Sequence, residues 1–206
     1  MIIKKQNYLK HAIVLFLLLL LMQPERAWAA YENVEFSSLT NHDGLTNSQV
    51  GAILKDTRGY IWFGTQSGLC RFDGFRMKTF YYINTDDKSL PNNSVDELQQ
   101  DYDGNIWVHT SVGYSIYKYD EEQFERKPEE WLKNIHVQGP PYKLLIDKDK
   151  NMWIAVYGQG LYYHNAKTKN TYLFKFTKKA QPGCLKEGNI SKITEVDGDA
   201  LITYGD

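Results

Sequence analysis

Residues 50–73 read VGAILKDTRGYIWFGTQSGLCRFD, and residues 95–117 read VDELQQDYDGNIWVHTSVGYSIY. The two align without a gap. Asp56, Gly59, Trp62 and Gly68 of the first stretch fall on Asp101, Gly104, Trp107 and Gly113 of the second, each 45 residues on. A third copy, residues 144–163, reads LLIDKDKNMWIAVYGQGLYY. It sets Asp147, Trp153 and Gly160 on the same positions after one inserted residue. Lys150-Asn151 stands where the others have Gly-x, and Asn is the residue next best suited to a left-handed backbone. A fourth copy begins at Ile190 and puts Leu201 at the tryptophan position. Self-similarity with a period near 45 residues signals a stacked or circular repeat architecture.

Each copy translates into strands. Val50–Leu54 is a short apolar strand. Asp56-x-x-Gly59 is a turn, since Asp bonds backbone two residues on and Gly accepts positive φ. Tyr60–Thr65 is rich in β-formers. Gln66-Ser67-Gly68 turns again, Leu69–Phe72 is a third strand, and Phe75–Tyr82 supplies a fourth after the Asp73-Gly74 turn. Four short antiparallel strands in about 45 residues make one propeller blade. The composition agrees: 14% of the chain is aromatic, and aromatic residues suit pleated, half-buried surfaces. No 3.6-residue apolar period is sustained. The one helix-like piece, Pro128–Lys133, falls between blades two and three and reads as a loop insertion, with Pro in the first turn.

The predicted fold is therefore all-β: an incomplete propeller over 30–206 of about three and a half blades, roughly 47–84, 92–126, 141–177 and 189–206. A leader strand at 31–40 is assigned to a closing blade outside the chain. Blades stack because one sheet cannot bury both faces alone, and Trp62, Trp107 and Trp153 are expected between adjacent sheets. An open ring leaves end faces and edges uncovered.

Residues 1–29 read as a signal peptide. Lys4, Lys5 and Lys10 form a positive start, Ala12–Met22 is an uncharged apolar run, and Ala27-Trp28-Ala29 has the small–x–small pattern of a cleavage site. The run is short for a bilayer-spanning helix. An exported chain permits a Cys70–Cys184 disulfide; two unpaired thiols packed as small apolar groups are the alternative. The formal charge of −1 and the lack of a long basic block past the N-terminus speak against nucleic acid as a partner.

Chemistry-bearing clusters are weak. Asp147-x-Asp149-x-Asn151 matches half a calcium loop, but Met152 stands where Gly is needed and Gly158 where Glu is needed. A polar turn is the plainer reading, as it is for Asp101-x-Asp103-Gly104 and Asp197-Gly198-Asp199. Neither a metal nor a cofactor is predicted. His42, His109, His136 and His164 lack metal-ligand spacing. His109, which takes the place of Gly64, is the nearest candidate for catalysis and reads mainly as a strand residue. Tyr157, Tyr162, Tyr163 and Trp131 lie where rings could stack on a sugar, but no ligand-binding residue is assigned.

Ile61–Gly74 closely resembles the two-component regulator propeller repeat, and Asp43–Val50 and Leu90–Val95 resemble the leaders of such repeats. The resemblance runs from 31 to 206. It implies the periplasmic sensor region of a hybrid histidine kinase, dimeric in the parent and anchored in the inner membrane, with glycan breakdown products as ligands and oligosaccharide as partner. It also implies that the rest of the propeller and the kinase lie outside this chain. Catalysis is not predicted here. Alternatives are a propeller enzyme, such as a lyase or glycan hydrolase, and a secreted binding or scaffold propeller.

Overall fold

In the computed structural model the three tryptophan-centred copies become three antiparallel sheets with the same strand order. The structure describes residues 36–177, 185–186 and 188–205. Met1–Ser38 and Leu39–Asp206 are separate units, and only three residues of the first are described. The expected signal peptide and Cys184 lie outside the described residues. So do 31–35 of the expected leader strand, while 36–40 belong to no strand.

The first sheet runs β1 (Val50–Lys55), β2 (Ile61–Thr65), β3 (Gly68–Phe72), β4 (Met77–Phe80). The second runs β5 (Val95–Gln100), β6 (Ile106–Thr110), β7 (Gly113–Lys118), β8 (Gln123–Glu125). The third runs β9 (Pro141–Ile146), β10 (Met152–Val156), β11 (Gly160–His164), β12 (Thr171–Thr177), and adds β13 (Leu185–Lys186) parallel to β12 as a fifth strand. A fourth sheet holds β14 (Ile190–Val196) and β15 (Asp199–Tyr204). The first strands of successive sheets, β1, β5, β9 and β14, lie next to one another. The sheets thus fan out from a shared inner edge, which is propeller geometry.

Register carries the repeat into three dimensions. Trp62, Trp107 and Trp153 pair across to Leu54, Gln99 and Leu145, the same position of three sheets. Leu201 pairs with Thr194 at the matching place in the fourth. Trp62 is buried between sheets one and two with Leu69, Leu90, Val95, Ile106 and Tyr117. Trp107 is buried between sheets two and three with Ile116, Leu144, Met152 and Ile154. Trp153 is half-buried among Leu161, Phe174, Ile190 and Ile193, between sheets three and four. Second strands such as β2 and β6 are buried almost throughout, because both of their faces meet side chains.

Three features differ from the reading of the sequence. The insertion is a short helix, α1 (Pro128–Leu132), followed by a 3-10 turn, and it is no mere loop. Leu132, Ile135 and Val137 enter the core between sheets two and three, and Trp131 packs edge-on against Trp107 at 5.4 Å. The free face of the first sheet is also covered: Leu39 and Leu45 pack on Phe63, Cys70 and Phe72. Lastly, Lys150 itself, not Asn151, takes the left-handed position of the third turn, at φ 65, where Gly59 and Gly104 have φ 92 and 86.

The tryptophan turns are fixed by their aspartates. One oxygen of Asp56 accepts the N–H groups of Arg58 and Tyr60, both at 2.9 Å, and the other accepts Trp62 Nε1 at 2.7 Å. Asp101 repeats this with Asp103, Asn105 and Trp107. Asp147 accepts from Asp149 and Asn151 N–H, and Asn151 Nδ2 occupies its second oxygen at 3.0 Å. Buried polar groups need such partners, since an unpaired one is costly. An outer contact ties sheet two to sheet one: the Glu122 carboxylate meets Arg71 at 3.3 Å and Lys78 at 2.6 Å, two cations that sit opposite each other in register.

Candidate functional site: the turn end of the sheets

The two ends of the sheets differ in kind. At one end lie the Asp-anchored turns just described. The other end gathers the turns from second to third strands and the links from sheet to sheet, because every first strand starts where its second strand finishes. Val50 pairs with Thr65, Val95 with Thr110 and Pro141 with Val156. Turns and links are bonded together there: Gly68 N donates to Asn93 O at 2.8 Å, Ser94 Oγ to Gln66 Oε1 at 2.8 Å, Asn47 Nδ2 to Ser67 Oγ at 2.9 Å.

Two of these turns share a device that reading the sequence missed. Buried Thr65 donates its hydroxyl to Gly68 O at 2.8 Å and accepts Ser67 N–H at 3.0 Å. Buried Thr110 does the same with Gly113 O and Val112 N–H. The signal was present as Thr-x-x-Gly, repeated at the same offset in both copies. The third turn replaces the Thr with Val156 and holds three residues, Tyr157-Gly158-Gln159, closed by Gln159 N donating to Val156 O at 3.3 Å.

Tyr157 is 64% exposed and lies parallel on Tyr142, ring centres 4.0 Å apart. Tyr142 is held by its hydroxyl, which accepts Ile190 N–H at 3.2 Å. Gln159 is held at both ends of its amide: Nε2 donates to Gln138 O at 2.7 Å, and Oε1 accepts the Tyr162 hydroxyl. A cavity of about 670 Å³ adjoins this turn, lined in part by Gln138, Gln159, Tyr172 and Lys175. A second of about 360 Å³ is lined in part by Tyr142, Tyr157 and Asn189, with Gly158 and Phe176 common to both.

A polar cluster sits on the inner strands of sheet two. His109 Nδ1 meets Asp96 Oδ1 at 2.6 Å, and the His109 ring lies 4.5 Å from that of Tyr114. The Tyr114 hydroxyl donates to Glu97 at 3.1 Å and accepts Leu144 N–H at 3.1 Å. Burial, with the Glu97 carboxylate beside it, pushes the Tyr114 hydroxyl well above its ordinary range. The His–Asp pair could relay a proton if a reacting group came within hydrogen-bond reach. As it stands, it links β5 to β6.

The remaining candidates scatter. The signature residues Asp56, Trp62, Asp101, Trp107, Asp147 and Trp153 fill turns and gaps between sheets and do not converge on one site. Gly59, Gly68, Gly104, Gly113 and Gly160 all take positive φ in turns. His42 and His136 are exposed, and His164 is buried against Thr171 Oγ1 at 2.8 Å. Among the ring candidates Tyr162 is buried, Trp131 and Tyr163 are half-buried, and Tyr157 alone is exposed. Cys70 is a buried free thiol whose sulfur accepts Thr46 N–H at 3.4 Å.

The sequence profile of the family described as "Two component regulator propeller" matches residues 44–67 and 89–111, the core of sheets one and two. The chain carries two-component regulator propeller repeats at these two stretches. The same strand register recurs in sheets three and four. A curated relative, "Histidine kinase P4" of Formosa agariphila, is 30% identical over 141 residues, which is 66% of this chain and 10% of the relative. The propeller repeats seen here thus span about a tenth of that protein. Among solved structures, the extracellular domain of a hybrid two component system from B. thetaiotaomicron aligns with 82% of this chain and 29% of its own, at 18% identity and a TM-score of 0.40. The extracellular domain of a one component system from the same organism aligns with 79% of this chain and 23% of its own, at 16% identity and a TM-score of 0.48.

Proposed function

We propose that this chain is the extracytoplasmic sensing part of a two-component regulator, that it acts by binding without catalysis, and that its ligands are breakdown products of complex glycans. The observation that carries the reading is the 30% identity to a histidine kinase over 141 residues, in a chain with two matches to the two-component regulator propeller. Export is supported by the basic and apolar start of the chain. The binding surface assigned to this role is the turn end, where links and turns from several sheets come together.

Sensing demands that the ligand bind one state of the regulator better than the other. Driving a switch from 1:99 to 99:1 takes about 10⁴-fold differential affinity. In a dimeric parent the propeller would convert ligand occupancy into a changed arrangement of the two sensor halves, and so into a changed rate of autophosphorylation of the kinase.

The test uses the full-length regulator to which these residues belong, reconstituted in lipid vesicles. Glycan digests are added on the sensor side, and autophosphorylation is followed. A digest fraction that binds the propeller and changes the rate supports the reading. An undiminished response after removal of residues 39–205 would sink it, and so would a digest whose fractions are cleaved by the chain.

A further inference from the structure

Between its tryptophan and its third-strand glycine the third repeat carries one residue more than the first two, and that residue falls in an exposed turn. Gly68 and Gly113 follow their tryptophans by six residues, while Gly160 follows Trp153 by seven. The added residue converts a two-residue turn into Tyr157-Gly158-Gln159, with Gly158 at φ 70 and open space where a Cβ would stand. The matching turns of sheets one and two carry Gln66-Ser67 and Ser111-Val112, so this one alone carries an aromatic ring.

That ring is placed at a cost. A tyrosine gains most by burying its ring, and 64% of Tyr157 is left in water. It is also braced, because Tyr142 lies flat against one face and is itself bonded to the Ile190 backbone. Beside it, Gln159 is pinned by Tyr162 and by Gln138 O. A fixed, exposed aromatic face next to a fixed amide matches a ligand with an apolar face and a hydroxyl rim. The charges sharpen the class. Among the described residues, the lining of the cavity formed by Tyr142, Tyr157 and Asn189 carries no charge, and that of the larger one carries Lys175 and no carboxylate. A charged ligand group placed on the Tyr157 side would meet no counter-ion among the described residues.

We infer that Tyr157 is a stacking platform for a neutral sugar ring of an oligosaccharide, created by the one-residue insertion that separates the third repeat from its neighbours. Tyr142 braces the platform, and Asn189, in the lining of the same cavity, faces the hydroxyls. The inference rests on the glycan-sensing reading and gives it a site and a ligand class.

The experiment titrates the purified full chain, by calorimetry, with neutral gluco-, xylo- and manno-oligosaccharides and with uronate-bearing oligosaccharides of matched length. A neutral oligosaccharide is expected to bind. Tyr157→Ala should weaken it about tenfold or more, as loss of an aromatic anchor does, and Tyr157→Phe should keep it, since the ring face makes the contact. Tyr157→Phe should melt with the parent, and Tyr157→Ala should melt only a little lower, since at this exposed position it gives up only the stack on Tyr142. Nitration of Tyr157 in the unaltered chain, slowed by the bound oligosaccharide, reads the same contact without a substitution. Neutral sugar that binds Tyr157→Ala as it binds the parent overturns this site and leaves glycan sensing standing. Binding of the uronate-bearing ligands alone overturns the neutral class. If neither class binds the parent, the site and the glycan reading fall together.

Discussion

Asp101 holds Trp107 by a 3.0 Å bond from the indole Nε1 to the same carboxylate whose other oxygen fixes the turn between β5 and β6. One side chain thus sets a turn, orients the ring that fills the gap to the next sheet, and keeps its own buried oxygens satisfied. Asp56 and Trp62 do the same one sheet earlier, but Asp147 spends its second oxygen on Asn151.

The first prediction follows from that difference. Trp107→Ala should cost about 3–5 kcal/mol through the cavity it leaves. Asp101→Ala should cost about 1–3 kcal/mol for the polar groups it strands. Asp147→Ala should cost less than Asp101→Ala, because no indole depends on it and the site is less buried. Urea denaturation of the three variants measures this. Equal losses for Asp101→Ala and Asp147→Ala would remove the special role of the indole bond.

The third-strand glycines separate backbone strain from crowding. Gly160 and Gly113 both sit at left-handed φ, 139 and 113. A Cβ on Gly160 would stand 2.2 Å from Phe174 O, whereas one on Gly113 meets nothing within 4 Å. Gly113→Ala should therefore cost about 1–2 kcal/mol, the strain alone. Gly160→Ala adds a clash with the backbone of β12 and should cost at least about 2 kcal/mol more. Thermal melts of the pair decide it, and a Gly160→Ala protein as stable as Gly113→Ala would contradict the close approach.

A third prediction concerns alkaline pH. Burial raises the hydroxyls of Tyr102, Tyr114, Tyr117, Tyr119 and Tyr142 above the ordinary value of 10.0, Tyr102 up to about 12. The folded chain keeps these protons where the unfolded chain releases them. Their contribution is complete below pH 10 and is lost as pH climbs from 10 towards 12. Absorbance at 295 nm and circular dichroism, followed together, should show phenol ionisation coinciding with loss of sheet signal. Complete ionisation of all the tyrosines with the sheets intact would refute the burial.

On the acid side, His164 carries the fourth. Burial holds its imidazole below the ordinary 6.5, with Lys169 adding to the effect, and its Nε2 has no hydrogen-bond partner among the described residues. The unfolded chain binds a proton that the folded one resists. The stability tied to His164 is whole above pH 6.5 and declines as pH falls through the lowered value. His164→Phe should flatten the fall in stability between pH 7 and pH 5. An unchanged slope would assign it to other groups.

The repeat and its strands were legible because blade-forming turns demand particular residues at fixed offsets: Asp to bind backbone N–H groups, Gly for positive φ, Trp to fill the space between sheets. Position 150 shows the limit of such reasoning. The turn needed a left-handed residue, and Lys150 supplies it, because a turn is set by its place in the sequence repeat and tertiary contacts offset the strain. Its Nζ reaches Gln100 O at 3.1 Å.

The sequence alone determined that a tryptophan-centred unit of about 45 residues recurs and that each unit becomes a small antiparallel sheet, since both follow from local backbone preferences and period-two patterning. Only the tertiary structure decided that Leu132 and Ile135 complete a core, that Thr65 and Thr110 close the turns, and that Tyr157 lies exposed on Tyr142. Those facts depend on which residues from distant parts of the chain come into contact, and Tyr142 and Tyr157 meet because β9 and β10 pair side by side. Spacing along the chain carries no record of that.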